Sequence, residues 1–340
     1  MSLKQSQMFP CNYLWNNMFK MCYQVSFTTE EDKVYNLNLV HAIEIEKSIE
    51  KLAATCSITL PLFRFNSPLL VNVDIKRGTE VVVCLGYDDN PQEEFRGYVT
   101  KVVYNNSSIV IECEDALFLF RKSLANKQFK NITLKDLLTQ VCNQIDPAYS
   151  IDCDYDLTYE SYTLNNKTGY DILKEIQDNL GANVWFDTQN KILNIHLSYR
   201  DKLGQVKYSA HHNIETSTLE YVLGAEQKVE VTIDATDRKG EAKQVKVGDS
   251  GGEQFSLKIG NVKDKDIEKL AQDIWEKKTT DRLKGSFTTW LIPPVSPGYS
   301  VEIIDQEYPE RAGRYYVASV KTNFSESGGV KTVEPGIKLG

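Results

Sequence analysis

The segment Asp264–Gly340 constrains the fold most. It holds an amphipathic helix, a proline-glycine corner and then three β segments. Its middle, Leu283-Lys-Gly-Ser-Phe-Thr-Thr-Trp-Leu-Ile-Pro-Pro-Val-Ser-Pro-Gly-Tyr-Ser-Val-Glu-Ile-Ile304, leads one strand into a rigid turn and a second strand out of it. Similar strand and turn chemistry occurs earlier, at Thr79–Leu85 and Phe95–Tyr104. A chain built this way has two β modules with helices between them, which suits a building block better than an enzyme.

Size and composition narrow the class. At 340 residues two or three domains are expected. With 41% hydrophobic and 25% charged residues the chain is an ordinary globular protein rather than a disordered one. A net charge of -8 argues against a general nucleic-acid-binding surface, which would be basic. Seven scattered cysteines, several inside apolar strand or helix patterns, read as free thiols in a reducing compartment. The aromatic-rich N-terminus is interrupted by Asn12, Asn16, Asn17 and Lys20, so it lacks the apolar core of a signal peptide and the length of a span.

Periodicity divides the chain into an arm (1–22), a first β module (23–121), a small α/β module (122–200) and a second β module (201–340) carrying a helix over 263–280. The expected class is mainly β with α+β. Thr79-Glu-Val-Val-Val-Cys-Leu85 is a buried strand by its β-branched run. Cys56-Ser-Ile-Thr-Leu60 alternates and stops at Pro61, as an edge strand does. Leu69–Val73 reads as extended. Thr133 is positioned to cap one helix, which Pro147 ends, and a second helix starts near Thr168 and stops at Gly181. No internal repeat of the solenoid kind is visible.

Several motifs tempt toward catalysis or ligand binding. Gly248-Asp-Ser-Gly-Gly252 matches the pentapeptide around a chymotrypsin-like nucleophile, but that chemistry needs a histidine and a buried aspartate held to the serine. Among the upstream histidines, His41, His211 and His212 do not stand in the expected setting, so a glycine-rich turn is the better reading. Asp152-Cys-Asp-Tyr-Asp156 resembles the start of a calcium loop, yet Leu157 and Thr163 occupy positions that need Gly and Glu. His211-His212 on a strand would point to opposite faces, and no zinc spacing or phosphate-binding loop occurs. A glycosidase pair is not selected by the order of the acids. No cofactor and no metal are expected.

The ordered motifs resemble those of the tail-hub or baseplate-hub proteins of contractile-tailed bacteriophages, the late-control D or Mu-like tail family, related to the hub part of valine-glycine repeat proteins. The carriers are Ser57-Ile-Thr-Leu-Pro61, Gly78-Thr-Glu-Val-Val-Val83 with Phe95-Arg-Gly-Tyr-Val-Thr-Lys-Val102, and Thr133-Leu-Lys-Asp-Leu-Leu138. Next come Thr168-Gly-Tyr-Asp-Ile-Leu-Lys-Glu-Ile176, Gly181-Ala-Asn-Val-Trp-Phe-Asp187, Pro297-Gly-Tyr-Ser-Val301 and Gly313-Arg-Tyr-Tyr-Val-Ala-Ser-Val320. The resemblance covers about residues 23–340.

It implies a homotrimer whose paired β-barrel domains form a pseudo-sixfold ring, joining a tail tube protein to a spike or puncturing protein among other baseplate proteins. DNA or a tape-measure protein would cross its lumen without specific binding, which the acidic balance suits. The chain lacks the spike domains that injection-system relatives append, so a spike is expected as a separate chain. Assembly would take place in the bacterial host cytoplasm and end in the virion tail. Val81, Val83, Val99 and Lys101 are the strand positions nominated near a subunit seam. The competing expectations are a tail-associated cell-wall hydrolase, a carbohydrate-binding or adhesion module, and the hub of a contractile injection system.

Overall fold

The computed structural model describes residues 19–64, 67–68, 75–196, 204–236, 242–260, 262 and 264–339. Most of the arm, and the extended piece expected at 69–73, lie outside the described residues. The first strands are β1 (Met21–Thr28), β2 (Val34–Leu37), β3 (Ala42–Ser48), β4 (Thr55–Pro61), the short pair β5 (Phe63–Arg64) and β6 (Ser67–Pro68), β7 (Glu80–Tyr87), β8 (Asn90–Tyr104) and β9 (Ser108–Glu114). They alternate one buried and one outward residue, as a half-covered sheet requires. The inward set includes Phe27, Ile43, Ile58, Val81, Val83, Val99 and Ile111, which pack into a single apolar core. Each such side chain contributes about 1.5–3 kcal/mol by leaving water. Strand β4 is not an edge: it pairs with β3 on one side and β9 on the other, and Pro61 sits at its last position opposite Ser108. The proline is tolerated because it ends the ladder rather than interrupting it.

A helical unit follows: α1 (Leu117–Phe120), β10 (Lys127–Thr133), α2 (Leu134–Ile145), β11 (Ser150–Cys153), β12 (Thr158–Leu164), α3 (Gly169–Leu180), β13 (Asn183–Asp187) and β14 (Ile192–His196). Thr133 Oγ1 accepts the Asp136 N–H at 3.1 Å and starts α2. Thr168 and Asp171 form a reciprocal capping box at α3, each accepting the other's backbone N–H. Gly181 ends α3 with φ of 61°, the left-handed conformation that glycine adopts without strain. The buried faces, Leu134, Leu137, Leu138 and Val141 on α2 and Ile172, Leu173 and Ile176 on α3, meet in a second core.

The rest of the chain is β15 (Gln205–Ser209), β16 (Thr216–Ser217), β17 (Glu220–Val222), β18 (Val229–Thr236), β19 (Ala242–Gly248), β20 (Glu253–Ile259), α4 (Asp264–Lys278), β21 (Arg282–Lys284), β22 (Phe287–Trp290), β23 (Ser300–Ile304), β24 (Gly313–Ser325) and β25 (Gly328–Leu339). The helix read at 263–280 is α4, but its apolar face does not serve the closing β strands. Ile267, Leu270, Ala271 and Ile274 join Val231, Ile233 and Leu257 in the core shared with α2 and α3. The stretch 229–278 is therefore an excursion from the second β module back onto the helical unit. The closing module keeps a third core of its own, built by Tyr208, Phe287, Val301, Tyr315, Val317 and Val333.

The same antiparallel unit is built twice. In the first, β7–β8 and β8–β9 are hairpins, β9 pairs with β4, and β4 pairs with β3. In the second, β23–β24 and β24–β25 are hairpins, β25 pairs with β22, and β22 pairs with β16. The two units share a ladder, since β3 pairs antiparallel with the second half of β24 from Ser48↔Ser319 to Ala42↔Ser325. One continuous hydrogen-bond path thus runs from β2 through both units to β16. Six described cysteines are free thiols. Among the described residues no helix is long and apolar enough to cross a membrane.

Candidate functional site

The polar residues that sequence patterns did not single out gather where the modules meet. Lys331 on β25 is fully buried, and its Nζ donates to Glu94 Oε1 on β8 at 2.6 Å. This pair ties the first module to the last across 237 positions of sequence. Tyr208, also fully buried, lies close enough to Glu94 that its phenol is pushed up, chiefly by burial and then by that carboxylate.

Beside the pair opens a cavity of about 290 Å³. Its walls come from all three modules: Lys47, Glu93, Glu94 and Asp115 from the first, Trp185 and Asp187 from the helical unit, and Ser296 and Tyr299 from the closing one. Asp115 is buried and accepts two backbone N–H groups, from Ala54 at 2.9 Å and Leu117 at 3.0 Å. Burial outweighs those donors and raises its carboxyl to about 7. Desolvation likewise holds the half-buried Lys47 ammonium below the usual lysine range, against the pull of Glu94. Arg96 on the rim is occupied, donating to Glu93 at 2.7 Å and Glu80 at 3.1 Å. The acids and bases here face one another in pairs at a joint. The Lys331–Glu94 pair fixes how the first and closing modules lie against each other.

The motifs read from sequence fall elsewhere. Ser250 lies in the turn between β19 and β20, on the excursion sheet, while His211 and His212 lie in the turn that follows β15. The two histidines are therefore not on a strand. The glycines around Ser250 have a local reason. Gly248 adopts φ of +108°, and a Cβ there would stand 2.2 Å from the Val229 carbonyl and 2.6 Å from the Trp275 ring. Asp152 and Asp154 do not open a calcium loop. They flank the buried His196, with carboxylate oxygens 3.5 Å from Nε2 and 3.3 Å from Nδ1. No group of three or more metal-ligating side chains occurs among the described residues.

Of the nominated seam positions, Val81, Val83 and Val99 are 0% exposed and point into the first core, so their side chains offer nothing to a neighbour. The alternation of β7 and β8 turns them inward. Lys101 is exposed on the second half of β8. Glu94 and Lys331 escaped notice because single charges within strand patterns read as outward-facing residues.

The fold has relatives among solved structures. A tail protein from Neisseria meningitidis MC58 superposes with a TM-score of 0.64 at 14% identity, over 92% of this chain and 96% of that one. The 43 kDa tail protein of prophage MuSo2 from Shewanella oneidensis gives a TM-score of 0.64 at 17% identity, over 93% and 98%. The E. coli c3393 protein, a type VI secretion component described as similar to T4 tail proteins gp27 and gp5, gives 0.59 at 9% identity, over 93% and 77%. The fold is thus that of phage tail proteins, mostly β with few helices. No curated protein matches the sequence. The YQBQ-like family model matches residues 43–333, and the chain belongs to that family.

Proposed function

We propose that the chain is the structural hub of a phage or prophage tail baseplate, a homotrimer that forms a pseudo-sixfold ring between the tail tube and the spike. The observation that carries this reading is the doubled β unit. Each chain contributes two topologically equivalent units already joined edge to edge by β3 and β24. Three chains then supply six units, the symmetry match between a sixfold tube and a threefold spike. The fold shared with tail proteins supports the same reading.

The partners in this reading are a tail tube protein, a spike or puncturing protein and other baseplate proteins. DNA or a tape-measure protein passes through the lumen without specific binding, and the net charge of -8 favours that passage. The chain acts through assembly rather than catalysis, first in the host cytoplasm and then in the virion tail. A second reading, the hub of a contractile injection system, is favoured by the similarity to the c3393 protein. Multi-angle light scattering of the full chain, alone and mixed with its tail tube protein, tests the proposal. A trimer, formed alone or on the tube, is expected. A chain that stays monomeric in both samples and does not bind the tube refutes it.

A further inference from the structure

We infer that the Lys101–Val103 edge of β8 pairs antiparallel with the Thr216–Ser217 edge of β16 in a second copy of this chain. This deepens the ring reading above and rests on it. The argument starts from the joint that one chain already builds. In that joint β3, the last strand of the first unit, covers the second half of β24, the central strand of the second unit. The unit repeat makes β16 the counterpart of β3, and β8 the counterpart of β24. Each chain therefore uses one β3-type edge and one β24-type edge internally. One edge of each type is left over.

The ladders agree with this. On the outer side of β8, Val99 N–H donates to Thr79 and its carbonyl accepts from Gly78. Beyond that point no described strand lies beside Lys101–Val103 on that side. The Asn105 N–H bonds the Ser108 carbonyl at 2.8 Å at the hairpin turn. Hydrogen-bonded and non-hydrogen-bonded pairs alternate along an antiparallel ladder, so Lys101 and Val103 bond back to β9, and Val102 presents its N–H and C=O outward. Strand β16 pairs only with β22 among the described strands.

The register follows from the built joint. Asn105 faces Ser108 at its turn as Ser325 faces Gly328, which makes Val102 the counterpart of Thr322 and Lys101 that of Lys321. Following the ladders through β9–β4–β3 and β25–β22–β16 makes Ser217 the counterpart of Ile45 and Thr216 that of Glu44. Since Thr322 faces Ile45 and Asn323 faces Glu44, Val102 faces Ser217 and Val103 faces Thr216 across the seam. Burial marks the difference between a finished joint and an unfinished one. Thr322 and Ile45 are 2% and 1% exposed, whereas Val102 is half-buried and Ser217 exposed. The contact is head to tail, so copies add in one direction until the ring closes.

A cysteine pair reads the seam directly. In the full chain, Val103→Cys with Thr216→Cys occupies a non-hydrogen-bonded pair, where Cα atoms approach to about 4.5 Å and a disulfide spans them. Mild oxidation is expected to give covalent dimers and trimers on a non-reducing gel. The parent chain and each single variant mark the background. Glu44→Cys with Asn323→Cys is the control, linking within one chain and showing that the geometry is competent. Val102→Pro removes an outward N–H that β9 does not use, so the monomer keeps its fold by circular dichroism and self-association falls at least about tenfold. A sample that is trimeric by light scattering, yet gives no Val103–Thr216 link while the control forms, overturns the seam and leaves the ring reading standing. A chain that stays monomeric alone and with tube protein overturns both.

Discussion

Replacing Lys331 with Met probes the joint between the two β units most directly. The ammonium is fully buried, Glu94 is 5% exposed, and 2.6 Å separates them. Removing the cation leaves a carboxylate out of water without its partner, a loss of about 3–5 kcal/mol. Against a total stability of about 5–15 kcal/mol that is a large fraction. Glu94→Leu alone strands the ammonium and costs a similar amount. The double variant Glu94→Leu/Lys331→Met leaves no orphaned charge and returns to within about 2 kcal/mol of the parent, because a buried ion pair is scarcely better than an apolar pair of similar volume. Urea unfolding of the full chain, followed by tryptophan fluorescence at unchanged slope, gives the three values and their coupling. Lys47→Met serves as the control. It faces the same carboxylate but is half-buried in the cavity, and its removal costs less than the loss of Lys331. A Lys331→Met cost below about 1 kcal/mol, or a double variant as damaged as the sum of the singles, would refute the assignment of this pair as the clamp.

Other perturbations follow from the same geometry. Gly248→Ala forces a side chain into a left-handed conformation against the Val229 carbonyl and the Trp275 ring, so thermal unfolding should show a loss of at least about 1–3 kcal/mol. Ser250→Ala, in the same turn, changes stability by less than about 0.5 kcal/mol. Leu173→Ala on the buried face of α3 empties core volume and costs about 2–5 kcal/mol, read as a lower urea midpoint. Asp115 titrates near 7 when folded and near 3.8 when unfolded. The folded state therefore holds the extra proton between those values. Its stabilising contribution is complete below about pH 4 and is lost as pH rises through about 7, by up to about 4 kcal/mol. Asp115→Asn flattens that part of the stability profile, and a profile identical to the parent's would show that Asp115 is not the titrating group.

Local chemistry was legible wherever the chain's own neighbours decide it. Thr133 and Thr168 start helices because a side-chain oxygen three residues away from an amide caps it in any context, and Gly181 stops one because glycine bears no penalty at positive φ. The buried run of β7 was equally plain. Pro61 misled, because a proline at the end of a strand looks the same whether the strand is central or at an edge. The strand-pairing order of the doubled unit was not legible for a related reason. Between β16 and β22 the chain leaves for the excursion of β18 to α4, which separates strands that are consecutive in the first unit. The inward direction of Val81, Val83 and Val99 was not legible, because the alternation of a strand shows which residues share a face, and only the core shows which face is inside.

By itself the sequence determined much of the local plan: strands such as β7, where two helices begin and end, and that the chain is mainly β with a helical unit between two β modules. Caps, turns and alternation act over a few residues, and their energies do not depend on what lies far away. Only the tertiary structure decided that β3 lies on β24, that α4 packs with the helical unit, and that Glu94 meets Lys331 across the joint. The first and last of those pairings bring together residues more than two hundred positions apart. Their free energy exists only once the modules exclude water from the space between them.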